Sequence, residues 1–206
     1  MCERFSGSLF GVQMSGTIKE CRIYPTGIKR LSALASLSFV LGIAEPAFSK
    51  VKESCLLPPM ELEAEAKAGF HQDMGDLIAA ASPEQAELGQ ISADLQGALA
   101  HLRVDRVGYL LRADPERLAA PGDLRGFSWE KADEVQFSGS DPDYAALSEK
   151  VERLMIEIKD HPGWPALRTL VQDQLADTKE YKALLEDFLA RLEALQSKIA
   201  TCFEGP

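Results

Sequence analysis

Basic residues, aromatic residues and recognisable catalytic motifs are all scarce in this sequence. Lysine and arginine total 22 against 32 aspartate and glutamate residues, which gives a net charge of −10. Nucleic-acid binding requires surplus cations that neutralise phosphates, so the composition argues against a nucleic-acid partner. Aromatic residues make up 7% of the chain, but hydrophobic residues reach 46%, which is enough for one sizeable core.

The short motifs of common enzymes and cofactor proteins are also missing. The chain has no Gly-x-Ser-x-Gly nucleophile turn, no phosphate-binding glycine loop and no Cys-x-x-Cys-His haem attachment sequence. Its three histidines, His71, His101 and His161, do not have the spacing of a metal-binding pair. We therefore expect no enzyme activity, no catalytic residue, no metal site and no cofactor.

The N-terminal part of the chain has the layout of a secretory signal peptide. Lys29 and Arg30 supply positive charge, residues 31–44 form a 14-residue run without charge, and small residues precede position 50. A membrane-spanning helix needs about 20 apolar residues, so this run is too short. We expect cleavage near Ser49-Lys50 and a periplasmic or secreted mature chain without stable membrane insertion. A buried core helix and an uncleaved anchor are the alternatives.

The expected leader, residues 1–49, is longer than most signal peptides, and Met14 is an alternative start. Residues 50–206 then form a single domain with a net charge of −12. This domain keeps two of the four cysteines, Cys55 and Cys202. Paired cysteines in an oxidising compartment are typical of a structural disulfide, so we expect these two to be bonded. The alternative is two unrelated buried thiols.

Apolar residues recur every three or four positions throughout the mature chain, which is typical of helices. Ser82-Pro83 and Asp141-Pro142 each place a capping residue before a proline, so each is expected to begin a helix. The spacing predicts four helices: residues 60–81, 83–113, 142–160 and 166–200.

The predicted fold is all-α, an antiparallel (up-down-up-down) four-helix bundle. The last helix carries a coiled-coil-like apolar seam made of Leu185, Phe188, Leu192, Leu195, Ile199 and Cys202. In such a bundle the first helix begins beside the end of the fourth. The expected disulfide would therefore close the bundle at that end.

The long link between the second and third helices is a candidate binding loop. It spans Asp114 to Asp141 and contains Phe127, Trp129 and Phe137. Links of this length are often functional. The alternative is that Ser128 to Val135 form one short helical turn and the aromatic residues only pack locally, over an open end of the bundle.

Glycines are concentrated in the first two predicted helices, at Gly69, Gly75, Gly89, Gly97 and Gly108. Each interior glycine costs up to about 1 kcal/mol relative to alanine. Either a close approach of the two helices or space for a ligand between them would offset this cost.

Taken together, these features predict an exported, non-catalytic helical-bundle protein that binds another protein or a small ligand. The alternative is a haem- or metal-binding four-helix bundle. In that case Met60 or Met74, together with a histidine, would hold the haem iron.

Overall fold

A computed structural model describes residues 51–204, so the predicted leader lies outside the described residues. Within this range the chain forms seven α-helices and no strand. They are α1 (Glu53–Ala81), α2 (Ala86–Ala113), α3 (Asp123–Gly126), α4 (Lys131–Ser140), α5 (Pro142–Asp160), α6 (Trp164–Thr169) and α7 (Lys179–Thr201). Short 3-10 turns at Pro83–Gln85 and Pro115–Leu118 precede α2 and α3, and a π-helical segment, Leu170–Leu175, follows α6. The all-α prediction is confirmed.

Both proline-marked helix starts occur where the sequence predicts them. The Asp141 carboxylate accepts hydrogen bonds from the backbone N–H groups of Asp143 and Tyr144, which satisfies two otherwise unpaired donors at the start of α5. Pro83 opens the 3-10 turn that leads into α2. A side-chain cap therefore fixes the start of α5, whereas Ser82 makes no side-chain cap and Pro83 alone marks the other start.

The start of the first helix differs from the prediction. The first helix begins earlier, at Glu53, and continues through Pro58 and Pro59. Leu56 is 0% exposed and Met60 is 2% exposed, so burial on both sides of the prolines outweighs their cost.

The predicted fourth helix is divided into α6, the π-helical segment and α7. The division falls at Thr178, whose hydroxyl accepts a hydrogen bond from the backbone N–H of Tyr181 and caps α7 anew. A side-chain cap of this kind competes with continuation of the helix.

The four long helices pack in the order α5, α2, α1, α7. The α1–α2 pair is antiparallel, because Gly97 lies beside Ala68 and Gly108 lies beside Leu57. The α1–α7 pair is also antiparallel, because Cys55 is bonded to Cys202 at one end and α7 follows α1 back along its length. In the described part of the chain, α5 and α7 share no extended interface, so the helices do not form a closed ring of four.

Two apolar clusters fill the interior. The hinge-end core lies where α1 turns into α2, and it includes Ile78, Leu88, Val151 and Ile158, with Leu170 from the π-helical segment. The disulfide-end core lies near the start of α1 and is formed by Leu56, Met60, Ala64, Val104, Val107, Leu110, Leu118, Leu124 and Ile199. Residues from the connecting segments therefore belong to both clusters: Leu170 to the hinge-end core, and Leu118 and Leu124 to the disulfide-end core.

Glycines allow α1 and α2 to approach closely. A Cβ atom added at Gly89 would lie 2.9 Å from Cγ2 of Ile78, and one added at Gly97 would lie 3.3 Å from Cβ of Ala68. Gly69, in contrast, faces open space. Close helix packing, rather than room for a ligand, offsets the cost of the glycines at these two contacts.

Candidate functional site

One carboxylate gathers hydrogen-bond donors from α2, α5 and the segment before α4. It belongs to Glu134, in the first turn of α4. Its Oε2 atom lies 2.6 Å from the indole nitrogen of Trp129 and 2.6 Å from the Tyr144 hydroxyl, and its Oε1 atom lies 2.6 Å from the Ser148 hydroxyl. Arg106 of α2 donates to Oε2 at 2.9 Å and to the Tyr144 hydroxyl at 3.0 Å. We call these five residues the Glu134 network.

The network strongly favours an ionised carboxylate beside a neutral phenol. Burial raises the pKa of Glu134, but hydrogen bonds from Ser148, Tyr144 and Trp129, with the Arg106 charge, lower it to about 2. Burial and the hydrogen bond to Glu134 raise the pKa of Tyr144 to about 12. The proton therefore stays on the phenol, and the Tyr144 O–H group donates a hydrogen bond to the carboxylate.

The Glu134 carboxylate has little capacity left for a substrate. A carboxylate offers about four acceptor positions, and Trp129, Tyr144, Ser148 and Arg106 already donate to it. Its role is therefore structural, because charge-assisted hydrogen bonds of this kind hold α4 in place between α2 and α5.

Aromatic rings surround the Glu134 network. The Phe137 ring is stacked between Tyr144, with centroids 4.1 Å apart, and Tyr109, at 4.8 Å. The Arg106 guanidinium lies 4.9 Å from the centroid of the Trp129 ring, in cation–π geometry. The Glu134 network and these aromatic rings thus stabilise the same contact between α2, α4 and α5.

The three aromatic residues of the predicted binding loop all contribute to interior packing. Phe137 is 5% exposed, and its ring centroid lies 6.5 Å from that of Trp129. Phe127 is half-buried against the disulfide-end core, against which Trp129 also packs. Ligand binding by this loop stays a prediction, and packing accounts for where each ring lies.

A buried carboxylate, Glu63, and Arg103 together link α1, α2 and α3. Glu63 is 5% exposed and pairs with Lys67 on its own helix. Arg103 of α2 lies 3.4 Å from the same carboxylate and donates to the Leu124 carbonyl oxygen at 2.7 Å. Arg103 thus bridges α1 and α3.

The residues considered for haem are part of the packed interior. Met60 lies in the disulfide-end core and Met74 in the hinge-end core. His71 packs edge-on against Phe70, and burial together with the Lys67 charge lowers the pKa of its imidazole to about 4. Between residues 51 and 204, no group of three or more His, Cys, Asp or Glu side chains is arranged to hold a metal ion.

The predicted disulfide is present. Cys55, in the first turn of α1, is bonded to Cys202, which follows the last residue of α7. The bond ties the two ends of the described chain to each other.

Helix α7 is much less covered than the other long helices. Ile199 is its one buried residue, whereas the shorter α5 buries Tyr144, Ser148, Val151, Leu154 and Ile158. One side of α7 carries Leu185, Leu189, Leu192 and Gln196, spaced four, three and four residues apart; we call this the outer stripe. Leu189 is 52% exposed, and neither Leu185 nor Leu192 belongs to either core cluster.

No protein-family model matches the chain, and no curated protein or solved structure is detectably similar to it. None of the helices in the described range is both long enough and apolar enough to cross a membrane.

Proposed function

We propose that this protein is an exported, non-catalytic helical module that binds another protein through the outer stripe of α7. The observation that carries the proposal is the shallow burial of α7, a 23-residue helix whose outer stripe has Leu189 exposed and Leu185 and Leu192 only partly buried. Amphipathic helices in soluble proteins normally bury such a stripe against a core or a partner. The proposal takes α1, α2, α5 and α7 as the antiparallel four-helix framework that presents it.

Export is part of the proposal and is supported by two features. The first is the arrangement of charge, apolar run and small residues in the predicted leader. The second is the Cys55–Cys202 disulfide, because such bonds persist in oxidising compartments and are rare in the cytosol.

A protein partner fits the described surface better than a small ligand does. Small ligands are usually held in enclosed, mostly apolar cavities. One concave site within the described residues, at the start of α1, is an open groove lined by Lys52, Glu53, Ser54, Leu57, Pro58 and Glu61. Close packing at Gly89 and Gly97 also removes the space that a ligand between α1 and α2 would need.

The proposal is tested by affinity capture from the periplasmic fraction with two matched variants. Leu189→Glu places a charge on the outer stripe, and Ile156→Glu makes the same change on α5, where Ile156 is 63% exposed. We expect wild type and Ile156→Glu to retain the same partner and Leu189→Glu to lose it. Retention of that partner by Leu189→Glu would contradict the assigned face, and substrate turnover by the purified protein would contradict the non-catalytic role.

A further inference from the structure

We infer that the Cys55–Cys202 disulfide is a reducible latch. While oxidised it holds α7 against α1, and its reduction by a dithiol lets α7 separate from a fold that otherwise stays intact. Such a latch needs no partner protein at α7, so it does not depend on the proposed function. The attachment of α7, its small share of the core and the accessibility of the bond support it.

Helix α7 is attached to the other helices by apolar contacts and by the disulfide. Phe188 stacks on Phe70 of α1 with ring centroids 4.3 Å apart, and α1 is the element with which α7 shares an extended interface. In the described range, no hydrogen bond or ion pair joins an α7 side chain to another α-helix. Its ion pairs stay within α7 or reach only the turn before it.

Polar contacts join the other long helices to one another. Arg112 of α2 lies 2.7 Å from the Glu53 carboxylate of α1, and Arg106 of α2 donates to the Tyr144 hydroxyl of α5 at 3.0 Å. Neither contact involves α7, so both persist when α7 moves. For α7, the covalent bond takes the place of such a contact.

Helix α7 supplies little of either core. The buried residues of the hinge-end core all come from elements that precede α7, and Tyr181 and Leu184 only pack against that core. The disulfide-end core takes one buried residue from α7, Ile199, and Phe203 packs against it. Separation of α7 therefore leaves the packing among α1, α2 and α5 in place, as a local opening does.

A pivot is available at the other end of α7. Residues 176–178 form a turn between the π-helical segment and α7, and the Asp177 side chain is 94% exposed. Rotation about this turn displaces no buried side chain of the turn. Leu175, directly before it, stays anchored in the hinge-end core.

The bond is accessible to a reductant in the folded protein, because Cys55 is exposed and Cys202 is half-buried. One thiolate of a dithiol, such as that of a thiol–disulfide oxidoreductase, attacks the Cys55 sulfur; the S–S bond breaks, and Cys202 leaves as a thiolate that takes up a proton. The second thiolate of the reductant then displaces Cys55 from the mixed disulfide. The cysteine pair gains two electrons and two protons, and the dithiol is oxidised to a disulfide.

Hydrogen exchange of the purified mature protein, followed helix by helix in sub-denaturing urea, tests the separation of α7. In the oxidised protein we expect exchange in α2, α5 and α7 to accelerate together as urea is raised. After reduction with dithiothreitol, α7 should lose this dependence on urea, because a local opening exposes little surface. It should then exchange at least about tenfold faster than α2 and α5 without urea.

The matched control is the Cys55→Ser, Cys202→Ser double variant. It should behave like reduced wild type both with and without dithiothreitol, which separates loss of the bond from other effects of the reductant. If α7 keeps the same urea dependence as α2 and α5 in the reduced protein, the disulfide only stabilises the whole fold and the latch is ruled out.

The rate at which free thiols appear tests the accessibility of the bond. We expect reduction of the native protein to be proportional to the dithiothreitol concentration and unchanged by low urea, because the thiolate attacks the folded form. A rate that rises with urea in step with global unfolding would show that the bond is reached only after unfolding. Oxidised glutathione should restore the urea dependence of α7, and failure to restore it would exclude a reversible latch.

Discussion

Cys55 and Cys202 have Cα atoms 5.8 Å apart although 147 positions separate them in the sequence. Their bond joins the first turn of α1 to the end of α7. Because α7 packs along α1 and not along α5, this bond links the least buried long helix to the rest of the fold. It also encloses almost the whole described chain in one covalent loop.

Removal of the disulfide is expected to lower stability without melting the helices. The chain-entropy model gives about 5 kcal/mol for a loop of this size. A domain of this length loses roughly 2–4 °C per kcal/mol, so replacing Cys55 and Cys202 by serine should lower the thermal midpoint by about 10 °C or more. Helical circular dichroism at low temperature should persist, because both core clusters remain. The thermal midpoint is measured for oxidised wild type, reduced wild type and the variant. Equal midpoints for all three would contradict a stabilising role of the disulfide.

Two glycine substitutions should have opposite effects. Gly69→Ala adds a Cβ atom into open space and should stabilise α1 by about 0.5–1 kcal/mol through helix propensity. Gly89→Ala should destabilise the protein by about 1–3 kcal/mol, because the new Cβ atom would lie 2.9 Å from Cγ2 of Ile78. Urea denaturation measures both. Stabilisation by both substitutions would show that α1 and α2 are not tightly packed at Gly89.

The Glu134 network is expected to hold α4 rather than to carry out chemistry. Glu134→Gln should cost about 1–3 kcal/mol, because it weakens charge-assisted hydrogen bonds and leaves Arg106 without its carboxylate. Tyr144→Phe should cost less, since it removes one hydroxyl and keeps the ring that stacks on Phe137. Hydrogen exchange should show faster opening of α4 in both variants. Unchanged exchange in α4 would contradict the assigned role.

The same network predicts an acid-sensitive component of stability. The pKa of Glu134 is about 2 in the folded protein and 4.5 as its ordinary value. The unfolded chain therefore binds more protons between these limits, and the stability contributed by Glu134 is complete above pH 4.5 and lost as the pH falls toward 2. Unfolding free energies measured from pH 6 to 2.5 should fall more steeply for wild type than for Glu134→Gln. Parallel curves would contradict the lowered pKa.

Export predicts a defined mature N-terminus. Expression of the full coding sequence in a bacterial host should yield a periplasmic protein that begins near Lys50, because cleavage follows the small residues that end at Ser49. Intact-mass spectrometry of the purified protein measures this directly. A protein that begins at Met1 or Met14 and stays in the cytoplasm would contradict export.

Local features of the sequence determined the helical class and several boundaries. Periodic apolar residues, the Ser82-Pro83 and Asp141-Pro142 starts and the cysteine pair act through their own neighbours or through chain connectivity. They were therefore predictable before any packing was known. Thr178 also carried a local signal, a hydroxyl that caps α7, but it lay inside an unbroken apolar pattern and the pattern concealed it.

Only the tertiary structure decided the Glu134 network and the exposure of α7. Arg106, Glu134 and Tyr144 lie on three different helices, and no spacing along the chain shows that their side chains meet. The outer stripe of α7 has the same periodicity as a buried seam, because periodicity reports which residues share a face and not what covers that face. Coverage depends on which elements pack against α7, here mainly α1, which is a property of the whole fold.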